Sequence, residues 1–297
     1  MNGSLLAPSV VGVNHQYLET GDVTLHYASS GERHRGIPIV LLHGFPELWY
    51  AWRHQLTTLG TTRHVVAPDL RGYGLSSKPG HVDAYRLDRL VEDVRALADH
   101  LGAERIELVG HDWGGVIAWA FAARHPERLA RLVIVNAPHP VPFARALRRS
   151  PRQMLASSYV LLFRLPFHLA ERVLEAGDHV LLDGLARRGL AHGYFTPEDA
   201  AVYRASWREP GALTGGLNYY RAIGRGATPR FPRIDTPTTV VWGERDRYLR
   251  TELLEDLGRY VRDLSVIRVP HASHWIVQEQ PAMLSEIIAG RRMVDSA

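Results

Sequence analysis

The run Val109-Gly110-His111-Asp112-Trp113-Gly114-Gly115 decides how the rest of the chain is read. It follows the mostly apolar stretch Ile106 to Val109 and leads into Gly115-Val116-Ile117-Ala118-Trp119-Ala120. Glycines two residues before and two residues after the central aspartate let the backbone bend sharply. A strand can then turn directly into a helix, with the Asp112 side chain pushed above the edge of a sheet. Serine at the centre would point to acyl transfer. A carboxylate there points instead to attack on an electrophilic carbon, leaving an alkyl ester on the protein. The competing reading is a turn aspartate that caps the following helix, and the residues further along the chain weigh against it.

Outward from this elbow, strands and helices alternate. On the N-terminal side, Gln16 to Glu19 and Val23 to Tyr27 flank Gly21-Asp22, the signature of a hairpin. Ile37 to Leu42 is an uninterrupted apolar run, as expected for a parallel strand covered on both faces, and His64 to Ala67 reads as another. From Arg86 to Leu101 apolar residues recur at helical spacing (Leu87, Leu90, Val91, Val94, Leu97 and Leu101), and Gly102 supplies the stop. Ile106 to Val109 and Leu132 to Val135 are strands on either side of the Asp112 helix. The alternation predicts a mostly parallel, doubly wound sheet.

The rhythm is lost between about Pro142 and Thr228, where Leu, Ala and Arg dominate. Helical stretches there are expected to break at Pro166, Gly177, Gly184, Pro197 and the Pro210-Gly211 pair. Sheet rhythm returns at Thr236 to Trp242, followed by a predicted helix around Glu252 to Val261, a strand near Leu264 to Val269 and a helix from Met283 to Arg291. The division expected is a core formed by residues 1–141 and 229–297, with residues 142–228 inserted as an all-helical cap that roofs the site.

An ester on Asp112 must be hydrolysed, which calls for a histidine to deprotonate water and an acid to orient the histidine. The strand ending at Val241-Trp242 is followed by Gly243-Glu244-Arg245-Asp246-Arg247-Tyr248. The last strand is followed by Val269-Pro270-His271-Ala272-Ser273-His274-Trp275. Both segments sit at carboxyl ends of strands, where open α/β sheets keep their sites. The order nucleophile, acid, histidine is that of the α/β-hydrolase fold. Asp246 is the expected orienter, with Glu244 as the alternative. His274 is the expected base, with His271 in the loop wall and His111 as a packed residue. Ester hydrolysis places negative charge on the carbonyl oxygen of Asp112, so two backbone N–H groups should face it. Trp113 supplies one. The other is Phe45, in the loop His43-Gly44-Phe45-Pro46-Glu47, since Pro46 has no N–H.

Composition narrows the alternatives. A chain of 297 residues has room to bury roughly 75% of its extended surface. Its 45% hydrophobic and 22% charged content is ordinary for a globular protein. It has no cysteine, which excludes disulfides, a thiol nucleophile and Cys-ligated metal. Histidines and glutamates are too dispersed for a metal site, nothing resembles H-E-x-x-H, and no cofactor is expected. Lys78 is the only lysine, so the net charge of +4 comes from arginines scattered among acids, which argues against a nucleic-acid partner. The glycine-rich run Asp69 to Ser76 lacks the spacing of a nucleotide fingerprint. No apolar run approaches ~18 residues, so no membrane span is expected. Met1 to Val13 does not read as a signal peptide, and the default location is cytoplasmic. Monomer and homodimer are not distinguished.

In combination, these motifs resemble the epoxide hydrolases of the α/β-hydrolase fold, over about Asn14 to Pro281. His43-Gly44-Phe45-Pro46-Glu47 followed by Trp49-Tyr50-Ala51-Trp52-Arg53, then Arg71-Gly72-Tyr73-Gly74-Leu75-Ser76 and Gly110-His111-Asp112-Trp113-Gly114-Gly115, look like three of that family's signatures. The resemblance implies Asp112 as nucleophile, Asp246 as acid and His274 as base. Gly216-Leu217-Asn218-Tyr219-Tyr220-Arg221 is similar to the cap segment that carries a tyrosine on the epoxide oxygen, which implies that role for Tyr220. A second cap tyrosine is implied at Tyr159, although in some members it aligns nearer Leu162. Ser273 departs from the glycine that often precedes the histidine. The implied reaction takes a small apolar epoxide and water to a vicinal diol. A haloalkane or fluoroacetate-type dehalogenase shares the Asp–His–acid set, with the Trp113 indole available to a halide. A noncatalytic ligand-binding protein of this fold is the third reading.

Overall fold

A computed structural model describes residues 5–226 and 231–291. The hairpin at Gly21-Asp22 forms as expected, pairing β1 (Val13–Thr20) with β2 (Val23–Ser30) so that Thr20 faces Val23 across the turn. Six further strands complete the sheet: β3 (Ile39–Leu42), β4 (Val65–Pro68), β5 (Ile106–His111), β6 (Leu129–Val135), β7 (Thr238–Gly243) and β8 (Leu264–Val269). Their spatial order is β1-β2-β4-β3-β5-β6-β7-β8. All neighbours are parallel except β2, which runs antiparallel to β1 and β4. β3 and β5 are wholly or almost wholly buried, which is why their sequences are apolar runs and do not alternate.

Helices α1 (Arg53–Leu59), α2 (Leu87–His100) and α3 (Trp113–Arg124) cover the first half of the sheet. α2 buries one stripe, as its spacing predicts. α3 is apolar nearly all round because it lies behind the centre of the sheet, with Ile117 to Ala122 all buried.

Between β6 and β7 the described chain is helical: α4 (Pro140–Arg149), α5 (Pro151–Ala156), α6 (Tyr159–Phe163), α7 (Leu169–Ala191), α8 (Pro197–Arg208) and α9 (Ala212–Arg221). This is the cap. Its expected end at 228–229 falls outside the described residues. The chain kinks at Gly177, where residues 176–179 leave helical geometry. Pro197 opens α8 at the first turn, where its missing N–H costs nothing. Gly184 does not break α7 as expected, since one glycine costs a helix only about 1 kcal/mol.

The helix expected over residues 252–261 is absent. Two short 3-10 turns, Thr251–Leu254 and Leu257–Arg259, take its place because Glu255 is extended and Asp256 adopts a left-handed conformation, φ 62°. Leu253, Leu257 and Val261 are still buried, so their helical spacing reflects a shared core contact and not a continuous helix. Short α10 (Ile276–Glu279) and α11 (Pro281–Ile288) close the described chain. No helix among the described residues is long and apolar enough to cross a membrane.

The loop after β4 is pinned by one buried cation. Arg71, 2% exposed, grips Asp93 of α2 through Nε and Nη2, both at 2.6 Å, and reaches Asp22 of the hairpin turn and the Ala84 carbonyl. The cap rests on the same point, because the Tyr219 hydroxyl donates to the Arg71 carbonyl at 2.8 Å. Arg71→Leu leaves the Asp93 carboxylate buried without its partner, and such losses cost about 3–5 kcal/mol. Urea denaturation is expected to show that loss as a lower midpoint with an unchanged slope.

Candidate active site

Asp112 sits between the last residue of β5 and the first of α3, at φ 49° and ψ −119°. A non-glycine residue held there is strained, and the strain is maintained by close packing on both sides. A Cβ on Gly110 would lie 2.3 Å from the Gly114 carbonyl oxygen, and one on Gly114 would lie 2.3 Å from that of Leu42. The glycine spacing that announced the elbow is thus a steric requirement of it.

The Asp112 carboxylate divides its two oxygens. Oδ1 accepts the Phe45 N–H at 2.9 Å, and Oδ2 lies 3.6 Å from Nε2 of His274. As the first residue of α3, Trp113 has an N–H without a partner inside the helix, next to Asp112 in the chain. On its other nitrogen, His274 Nδ1 is 2.7 Å from Asp246 Oδ2. Asp246 is fully buried and satisfied: Oδ1 accepts the N–H groups of Tyr248 and Leu249, and Oδ2 accepts Asn136 Nδ2 at 2.7 Å. The alternative acid, Glu244, instead pairs with Arg268 on the surface, and His271 is exposed beside Arg245. His111 is packed, with its ring between Glu47 and the carbonyl of His274. Ser273 is accommodated by Glu279, which accepts both its N–H and its hydroxyl at 2.6 Å.

The electrostatics follow from this arrangement. Burial opposes ionisation of Asp112, but the hydrogen bond and charge of His274, with help from His111 and the Phe45 N–H, outweigh it and hold the carboxyl below its usual range. Burial likewise disfavours the His274 imidazolium, yet the charge of Asp246 and the hydrogen bonds to Asp112 and Asp246 raise its pKa well above the ordinary histidine value. Both carboxylates therefore favour a proton on the imidazole that lies between them.

Two cap phenols stand opposite. Tyr220 of α9 packs edge-on against Trp113 and Phe163, with centroids 5.2 and 4.9 Å away. Tyr159, at the start of α6, lies 6.1 Å from the Tyr220 ring and 5.5 Å from that of Tyr248. Burial, reinforced by the Asp112 charge, pushes both phenols up, so both stay protonated as donors. The Asp112 side chain remains 15% accessible.

Sequence reasoning missed Asn136, which holds Asp246 and also accepts the Gly243 N–H. The available signal was a lone polar residue ending the run Leu132 to Val135. It also gave Glu47 no role. That buried carboxylate gathers His111, Tyr203 of the cap and Gln278 beneath the site.

Known proteins share this fold. Residues 37–281 match the alpha/beta hydrolase fold family. The chain is 40% identical to the AB hydrolase superfamily protein YfhM of Bacillus subtilis, covering 93% of this chain and 97% of that one. It is 37% identical to Epoxide hydrolase 4 of Mus musculus, over 92% of this chain and 78% of that protein. Among solved structures, Bacillus megaterium epoxide hydrolase in complex with an inhibitor superposes with a TM-score of 0.85 at 34% identity, covering 93% of this chain and 99% of that one. A variant of that enzyme was solved with a naphthyloxy-propane-1,2-diol product.

Proposed function

Because the chain belongs to the epoxide hydrolases of the α/β-hydrolase fold, we propose that Asp112 opens the epoxide by direct attack and that His274 drives hydrolysis of the resulting ester. The enzyme converts an epoxide and water to a vicinal diol. What supports this assignment of roles is the Asp112 carboxylate beside the His274–Asp246 pair, with Tyr220 packed edge-on against Phe45 and Trp113 and Tyr159 next to Tyr220.

Oδ1 is held by the Phe45 N–H, so Oδ2 is the attacking atom. As the Oδ2–carbon bond forms and the ring C–O bond breaks, the departing oxygen takes a proton from Tyr220 or Tyr159. The imidazolium of His274 restores that proton. The ester carries no charge, so Asp112 no longer holds a proton on His274, and the imidazole becomes a base. It takes a proton from water, and the hydroxide attacks Cγ of Asp112. Charge collects on Oδ1, where the N–H groups of Phe45 and Trp113 stabilise it. Collapse expels the diol oxygen, which takes its proton from His274, and the new carboxyl returns one to the histidine. Two neutral phenols suit an epoxide oxygen that must be protonated, and the dehalogenase reading, which needs halide donors, is not favoured.

The aromatic walls of Phe45, Phe163, Tyr220 and Trp113 suit an apolar, aryl-bearing epoxide. In the same proposal residues 142–228 act as the cap on a core of 1–141 and 229–297, and the enzyme works in the cytoplasm, which fractionation of tagged protein checks. Activity is tested with styrene oxide beside a bromoalkane: diol without bromide release is expected, and bromide release without diol would reverse the assignment. Tyr220→Phe is expected to slow ring opening roughly a hundredfold, as loss of a positioned proton donor does. Rapid mixing should show hydrolysis of preformed ester unaffected.

A further inference from the structure

Ser150-Pro151-Arg152-Gln153 has the spacing of a helix-capping box, and the Ser150 hydroxyl does accept the Gln153 N–H at 3.2 Å. In such a box the Gln side chain would reach back to the N-terminal backbone. Here it does not. Gln153 is fully buried, and its amide bridges from the end of its own helix to the loop that follows Asp246. Oε1 accepts the Arg250 N–H at 2.9 Å, while Nε2 donates to the Tyr248 carbonyl at 2.8 Å and the Ser157 hydroxyl at 2.9 Å. A buried amide with its acceptor and both donors engaged fixes the two backbones it joins, since breaking any one bond strands a desolvated polar group.

The residues it brackets also hold the acid. The N–H groups of Tyr248 and Leu249 bind Oδ1 of Asp246, leaving Oδ2 aimed at His274. The Tyr248 ring in turn packs against both His274, at 5.3 Å, and Tyr159, at 5.5 Å. The core alone supplies Asn136 to Oδ2, and nothing else in the cap hydrogen-bonds the backbone of residues 248–250 among the described residues.

We propose that Gln153 is a positioning residue for ester hydrolysis: from the cap, it clamps the 248–250 backbone that orients Asp246 toward His274. The cap therefore sets the geometry of the second half-reaction as well as supplying phenols for the first. This rests on the epoxide-opening reading above.

The test separates the two half-reactions in the full-length enzyme by rapid quench with an aryl epoxide. Gln153→Met keeps the length of the side chain and removes its amide. Ester hydrolysis is expected to slow about tenfold or more, the scale of a small misplacement of a catalytic group, while ring opening changes less than about twofold on that same scale. The groups around His274 are Asp246, Asp112, His111, Tyr248 and Trp275. Looser support from Asp246 moves the acid limb of hydrolysis to lower pH. Gln153→Glu keeps the acceptor for Arg250 and loses the donors, so it should fall between wild type and Gln153→Met. It carries the same comparison if the Met variant does not fold. Half-reactions that are unchanged, or that fall together with an unmoved acid limb, overturn the proposal. A wild-type enzyme that opens no epoxide would sink the functional reading instead.

Discussion

His274→Gln is expected to consume one equivalent of epoxide and then stop. Glutamine fills much of the imidazole's volume and leaves the Phe45 N–H on Asp112 Oδ1, so Oδ2 can still attack. What disappears is the proposed base: Nε2, 3.6 Å from the Asp112 carboxylate, and its orientation through Nδ1 by Asp246. Loss of a positioned general base slows its step by roughly 10²–10⁴. The substitution also removes the charge that keeps the Asp112 pKa low, so ring opening should proceed best on the alkaline side. Stopped-flow mixing should give a burst equal to the enzyme concentration, without steady-state diol. Steady turnover at a tenth of the wild-type rate would mean another group activates the water.

Asp112→Ala should abolish both the burst and the diol. With the carboxylate gone, the phenols and histidine remain but there is no atom to form the covalent bond. We expect a loss of at least four orders of magnitude, about 5.4 kcal/mol of barrier. The variant should keep its fold, because alanine at the strained position leaves the glycine contacts at 110 and 114 in place. It should also lower the His274 pKa, since the hydrogen bond and charge of Asp112 that favour the imidazolium are lost while Asp246 remains. A histidine NMR titration reads that change directly. Residual diol above about a thousandth of wild type would show that water can open the ring without an ester, against the barrier expected for losing the nucleophile.

What the sequence disclosed and what it withheld have a common cause. The elbow was legible because its constraint is local: Gly110 and Gly114 touch the backbone within a few residues of Asp112 and on the neighbouring strand. The buried strands and α2 were legible because burial imposes a period on apolar residues. The positions of Asp246 and His274 follow from which strand ends they occupy, and the sheet brings those ends together. Asn136 and Gln153 carry no such pattern. Each is one polar residue whose partner lies 110 or 95 positions away, so its meaning exists only after folding. The stretch over 252–261 misled for the opposite reason: three buried side chains reproduced a helical period although Asp256 reverses the backbone between them.

If Asp112 is the nucleophile, the oxygen added to the ring carbon comes from its carboxylate and not directly from water. A single turnover of wild-type enzyme, in excess over epoxide in ¹⁸O-water, tests it most directly. Unlabelled diol is expected from that first turnover, with one ¹⁸O atom in the peptide containing Asp112, because water attacks the carboxyl carbon and its oxygen stays there. Labelled diol with an unlabelled Asp112 peptide would contradict it, since water would then have attacked the ring itself.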